Sequence, residues 1–136
     1  MTPTRRALVL LIVAVTGVLG FVMLVRHFGR FDFRREARRI HKITTPAGGE
    51  VADLSDPQRE AFSIEVSWTV KTQLEWKDYT AFLKQEVPRE YRVFSEDDRH
   101  IQFMRILGTD TLFLSVERLS DGPPLRARLN FSGHAS

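Results

Sequence analysis

The chain has 136 residues, 43% hydrophobic and 27% charged, with a net charge of +3 and no cysteine. The missing cysteines exclude disulfides, thiolate metal sites, cysteine nucleophiles and cysteine lipidation. Residues 1–50 hold nine Lys/Arg against three Asp/Glu, whereas residues 51–136 hold eleven against fourteen. The basicity therefore belongs to the N-terminal third, and no basic footprint on a folded module points to nucleic acid.

The first element is the run ALVLLIVAVTGVLGFVMLV, residues 7–25, which carries no charge and only Thr16 as a strong hydrogen-bonding side chain. As a helix it spans roughly 28 Å, close to the thickness of a hydrocarbon core. A signal peptide also begins with basic residues and an apolar stretch, but its apolar core is shorter and ends at small residues. Here the run continues through Phe21 to Val25, so a retained single-pass anchor of signal-anchor type is expected. Two arginines precede the span and seven Lys/Arg follow it within residues 26–42. By the positive-inside rule this places the rest of the chain in the cytoplasm, the alternative being the opposite, extracytoplasmic side. Thr16 and Gly20, with Ala14 and Gly17 nearby, are small residues that would let two spans self-associate closely.

Residues 26–43, RHFGRFDFRREARRIHKI, form the second element. From Phe33 the apolar positions Phe33, Ala37, Ile40 and Ile43 recur at helical spacing, with basic residues between them. A basic amphipathic helix beside a span can lie in the membrane interface. Arg26, Arg30, Arg34, Arg35, Arg38, Arg39 and Lys42 are thus expected to contact membrane lipid. His27 and His41 have no partner at metal-ligand spacing and read as surface residues. Residues 44–61, with Pro46, Gly48-Gly49 and Pro57, read as a linker.

Residues 62–136 form the expected α+β domain. Phe62, Ile64, Val66, Trp68 and Val70 alternate with polar residues over 62–71, which is the pattern of a half-buried strand. Trp76, Tyr79, Phe82, Leu83 and Val87 then recur at helical spacing, with Thr72-x-x-Glu75 as a capping box and Pro88 as the stop. Further strands are expected over 91–94, 101–106, 111–118 and 125–131, reversing at 95–99, at Gly108-Thr109-Asp110 and around Asp121-Gly122-Pro123-Pro124. Requiring paired residues to share a face sets Ile106 opposite Thr111, Phe103 opposite Leu114 and Met104 opposite Phe113. The last hairpin pairs Leu112 with Phe131, Leu114 with Leu129 and Glu117 with Arg126. The order is β-α-β-β-β-β, a mostly antiparallel sheet of four or five strands with one helix on one face.

The chemistry-bearing motifs are missing: no G-x-S-x-G, HExxH, Walker loop or GxGxxG occurs. His100 beside Asp97-Asp98 fits no metal-ligand spacing and reads as a solvated turn, and His134 falls in the terminal SGHAS. Neither a metal, a cofactor nor catalysis is therefore expected. Met104, Ile106 and Phe113 would make an apolar spot on the outer sheet face, a candidate protein contact. The function expected is a membrane-anchored, non-catalytic interaction or accessory module, its partner another membrane protein. The alternative is a membrane-tethered domain binding a small ligand or lipid in a pocket lined by Trp68, Trp76, Tyr79 and Phe103.

Overall fold

The computed structural model describes residues 3–28, 32–120 and 123–135. The chain divides into two compact units, one ending at Asp32 and one beginning at Phe33. The first holds a single helix, α1 (Pro3–Phe28). Within it, Pro3–Phe21 is long and apolar enough to cross a membrane, and its large side chains are exposed, Leu10 at 69% and Phe21 at 70%. The Thr16 hydroxyl donates to the Ile12 carbonyl at 2.8 Å, so the one polar group of the run is satisfied inside its own helix.

The second unit is α+β and larger than composition suggests. Its elements are α2 (Phe33–Ile43), β1 (Glu50–Val51), β2 (Gln58–Arg59), β3 (Ser63–Thr72), α3 (Trp76–Glu86), β4 (Arg92–Glu96), β5 (His100–Leu107), β6 (Asp110–Arg118) and β7 (Leu125–Ala135). The strands form one antiparallel sheet in the order β1-β3-β7-β6-β5-β4, with β2 also on β3. Among the described residues of this unit there are seven strands rather than four or five, and two helices rather than one.

The two extra strands come from the segment read as a linker. Residues 50–59 run antiparallel along β3, pairing Val51 with Val70 and Arg59 with Ile64. Between those pairs Ala52 N–H donates to Thr69 O at 3.0 Å and Ser55 N–H to Ser67 O at 2.9 Å. The segment is an interrupted edge strand. Gly48, at φ 76°, turns the chain onto the edge, and Pro57 is tolerated because an edge strand has one unpaired side.

The helix α2 departs furthest from expectation. Its stripe does not face outward: Ala37 and Ile40 are at most 1% exposed, and the Phe33 ring stacks on Phe131 of β7 at 5.1 Å. His41 meets Trp68 of β3 edge-on at 5.4 Å. Its Nε2 lies 2.8 Å from Ala52 O. A carbonyl only accepts, so the proton is on Nε2. His41 is therefore a tie between α2 and the edge segment rather than a surface residue.

The sheet's inner face supplies the core: Val66, Trp68 and Val70 of β3, Leu125, Ala127, Leu129 and Phe131 of β7, Leu112, Leu114 and Val116 of β6, and Ile101 and Phe103 of β5, all under 5% exposed. Helix α3 adds Tyr79 and Leu83, both fully buried. It starts without a side-chain cap. The expected capping box is instead a turn in which Thr72 Oγ1 accepts from Leu74 N–H at 3.2 Å.

The β5–β6 register is the expected one, with Ile106 opposite Thr111 and Met104 opposite Phe113. The β6–β7 register is shifted by two: Leu112 faces Gly133, Leu114 faces Phe131 and Glu117 faces Arg128. A two-residue slip keeps every side chain on its face, so alternation cannot detect it. Gly133 suits the observed register: a Cβ there would stand 3.3 Å from both the Leu112 and the Phe33 side chains, so a larger residue would require them to give by a few tenths of an ångström. Phe62, expected in the core, precedes β3 and is 75% exposed.

Candidate functional site

Three groups of residues stand out in the folded unit. The first is on the outer sheet face. Met104 and Phe113 are directly opposed and half-buried, while Ile106 is 69% exposed. Two residues not anticipated there complete the group. Phe94, 60% exposed, sits where the β4–β5 register shifts between Val93 and Ser95, and its ring meets Phe113 at 6.2 Å, nearly perpendicular. His134 meets Phe113 from the other side at 5.5 Å. A bulge adds one residue and re-aims the side chains after it, which is why simple alternation missed Phe94. His134 was missed because β7 runs to Ala135 instead of ending near Phe131. Val51 does not cover this group: it opposes Val70, an inner-face residue of β3, and so lies on the other face of the sheet.

The second group is the basic side of α2. Arg34, Arg35, Arg38, Arg39 and Lys42 are exposed. Arg39 Nη1 is 3.5 Å from Glu36 Oε1. Arg30 and the side chains of Arg26 and His27 lie outside the described residues, as do Asp121 and Gly122 of the last reversal. With α2 counted in, residues 33–136 hold sixteen Lys/Arg and sixteen Asp/Glu. The folded unit is neutral, not slightly acidic, but its charge is polarised toward one helix.

The third group is buried and was not foreseen. Glu36, 8% exposed, accepts from the Tyr91 hydroxyl at 2.8 Å and lies 3.5 Å from Arg105 Nη1. Arg105 stands over the Tyr91 ring, 5.7 Å from its centre. Arg105 faces Leu112 across the sheet, so it is an inner-face charge whose counter-charge comes from α2. This cluster pins α2 to the sheet; its polar groups are used on one another.

Side chains proposed to line a ligand pocket serve other ends. Trp68 and Phe103 are 3% and 2% exposed. The Tyr79 hydroxyl donates to Thr44 O at 2.9 Å, joining α3 to the end of α2; Trp76 is half-exposed. The Asp97 turn is closed on itself: its Oδ1 accepts from Arg99 N–H at 2.8 Å and its N–H donates to His100 O at 2.8 Å. Among the described residues no three His, Asp or Glu side chains are grouped to hold a metal ion.

No family model matches the chain, and no curated protein or solved structure matches it either.

The two buried tyrosines give the domain an alkaline limit. Burial raises the Tyr79 hydroxyl pKa well above its usual value of 10. Burial, then the adjacent Glu36, does the same for Tyr91, against a smaller opposing effect of Arg105. Both stay protonated in the fold at a pH where an unfolded tyrosine ionises, so the unfolded state loses its protons first. Stability is expected to be flat in this respect below pH 9 and to fall above about pH 10, by up to roughly 1.4 kcal/mol per pH unit for each tyrosine. Urea unfolding between pH 8 and 11 measures this, and Tyr79→Phe should remove its share of the slope.

Proposed function

We propose that the chain is a membrane-anchored, non-catalytic accessory module that binds a partner membrane protein through the outer face of its sheet. Helix α1 is the anchor, and the charge asymmetry around it favours a cytoplasmic domain. The arginines and Lys42 on the outer side of α2 face anionic lipid, each adding about 1 kcal/mol when near the surface. The apolar stripe of α2 takes no part, because the core uses it.

The observation that carries this reading is the Phe94–Phe113–His134 ring group with Met104 and Ile106. The opposite face of the same sheet buries its apolar residues under α2 and α3. On the outer face the neighbours are Ser, Thr, Asn, Glu and Arg, so a contiguous apolar group there exceeds what cross-strand pairing alone needs and supports a contact surface. A photoreactive residue at 104 or 113, in membranes from the native host, is expected to yield a discrete crosslinked species. Ile106→Asp should abolish it while leaving the domain folded. Recovery of uncrosslinked monomer alone would remove the proposal.

A further inference from the structure

The segment that edges β3 is held very differently from the rest of the sheet. Residues 50–62 contain no buried side chain; Leu54 and Pro57 are half-buried and the others exposed. Ten registered pairs join β3 to β7 on its other side. Only Glu50, Val51, Gln58 and Arg59 are in register with β3 on this one. Between them the ladder is broken: Ser67 N–H donates to the Ser55 hydroxyl at 2.9 Å instead of to a carbonyl, and Pro57 has no N–H to give. Strand β4 is also exposed throughout. It differs in that the buried Tyr91 directly precedes it, and Lys84 Nζ pairs with its Glu96 at 2.8 Å.

Burial of apolar surface is what separates a firmly seated element from one that opens, because an exposed edge hydrogen bond exchanges readily for one to water. The segment lacks that burial, yet both its ends are fixed. Thr44 and Pro46 before it are buried, and so is Val66 after it. Gly48, at φ 76°, and Gly49 give the chain freedom at one end. At the other, Glu60 N–H closes a turn on Ser63 O at 2.9 Å. Two side chains fasten the middle. His41 Nε2–H reaches Ala52 O from α2 at 2.8 Å, and the Ser55 hydroxyl lies 3.4 Å from that of Ser67.

We infer that residues 50–59 are a detachable strap. The segment lifts from β3 as a unit, between Gly48 and the Glu60–Ser63 turn, while the rest of the sheet stays folded. His41 is its latch. The strap thereby governs access to the edge of β3. When it is lifted, the Ser67 and Thr69 carbonyls and the Ser67 N–H lose their partners. A bare strand edge of this kind is what an extended strand of another chain pairs with. The device is independent of the Phe94–Phe113 face, which lies toward the opposite edge of the sheet.

Hydrogen exchange of the full-length protein in detergent micelles, followed amide by amide by NMR, tests this within β3 itself. Ser67 faces the strap, so by strand alternation the amides of Val66 and Trp68 face β7. Ala52, Ser55 and Ser67 are expected to exchange at least about a hundredfold faster than Val66 and Trp68, each relative to its unfolded rate, and without acceleration by low urea. The cysteine-free chain also allows a lock, Ser55→Cys with Ser67→Cys, at two positions outside the core. Oxidising that pair should slow Ala52 and Ser67 at least about tenfold against the reduced form and leave Val66 and Trp68 unchanged. His41→Leu should speed Ala52 about threefold or more relative to Val66. If wild-type Ser67 exchanges as slowly as Val66, the segment opens only with the whole unit and the inference fails. It fails equally if the oxidised lock leaves Ser67 unchanged. An unaltered Ala52 rate in His41→Leu overturns the assignment of His41 as the latch.

Discussion

Replacing Ile40 by alanine is expected to destabilise the folded unit by about 3 kcal/mol, within the usual range for emptying a fully buried aliphatic site. Ile40 is 0% exposed and lies on the one helix whose place could not be settled by pattern. Two environments can absorb its side chain, a bilayer interface or a protein core, and both make an amphipathic stripe equally favourable. The two differ in consequence. If α2 lay on lipid, Ile40→Ala would weaken membrane contact and leave the unfolding midpoint alone. With α2 on the sheet, the midpoint falls, and the proposed lipid contact through the arginines would be unaffected. Urea unfolding followed by tryptophan fluorescence is suited to the measurement, because Trp68 packs against His41 one residue further along. A change under about 1 kcal/mol would mean that α2 does not belong to the cooperative unit.

The elements legible in the sequence were those set by local period. The strand at β3, the helix at α3 and the β5–β6 register followed from alternation, helical spacing and a glycine turn. What escaped has physical causes that no local pattern carries. The destination of an amphipathic stripe is a tertiary matter, and Phe33, Ala37 and Ile40 read alike for either. The edge strand at 50–59 is held by backbone hydrogen bonds to β3, which leave no side-chain signature, and Pro57 within it argues for a loop. The β6–β7 register escaped because Arg126 and Arg128 offer Glu117 the same charge and a two-residue slip preserves the faces. Of the candidate contact, Met104, Ile106 and Phe113 were visible from alternation. Phe94 was hidden by the bulge and His134 by the length of β7.

The Glu36 cluster leads to the other large effect. Glu36→Ala is expected to cost about 2–3 kcal/mol, read as a lower urea midpoint. The contribution does not come from the ion pairs as such. Both arginine nitrogens stand at 3.5 Å, and the Arg39 side chain is half-exposed, so its share is that of a surface pair and near zero. The loss comes from what the carboxylate leaves behind: the Tyr91 hydroxyl, whose 2.8 Å bond to a charged acceptor is buried, and Arg105, whose side chain is 22% exposed on a face otherwise apolar. Glu36→Gln keeps an acceptor for Tyr91 and should cost less, about 1 kcal/mol. Tyr91→Phe alone removes the same hydrogen bond but leaves the carboxylate beside Arg105. In the double variant Glu36→Ala/Tyr91→Phe the orphaned hydroxyl is gone, so the two costs should fall short of additive by about 1 kcal/mol. Strict additivity would show that the hydroxyl bond contributes nothing and that Arg105 alone accounts for the loss. Adding Arg105→Met to Glu36→Ala tests that branch, because an apolar stem of similar length fits the same inner-face position without a charge to compensate.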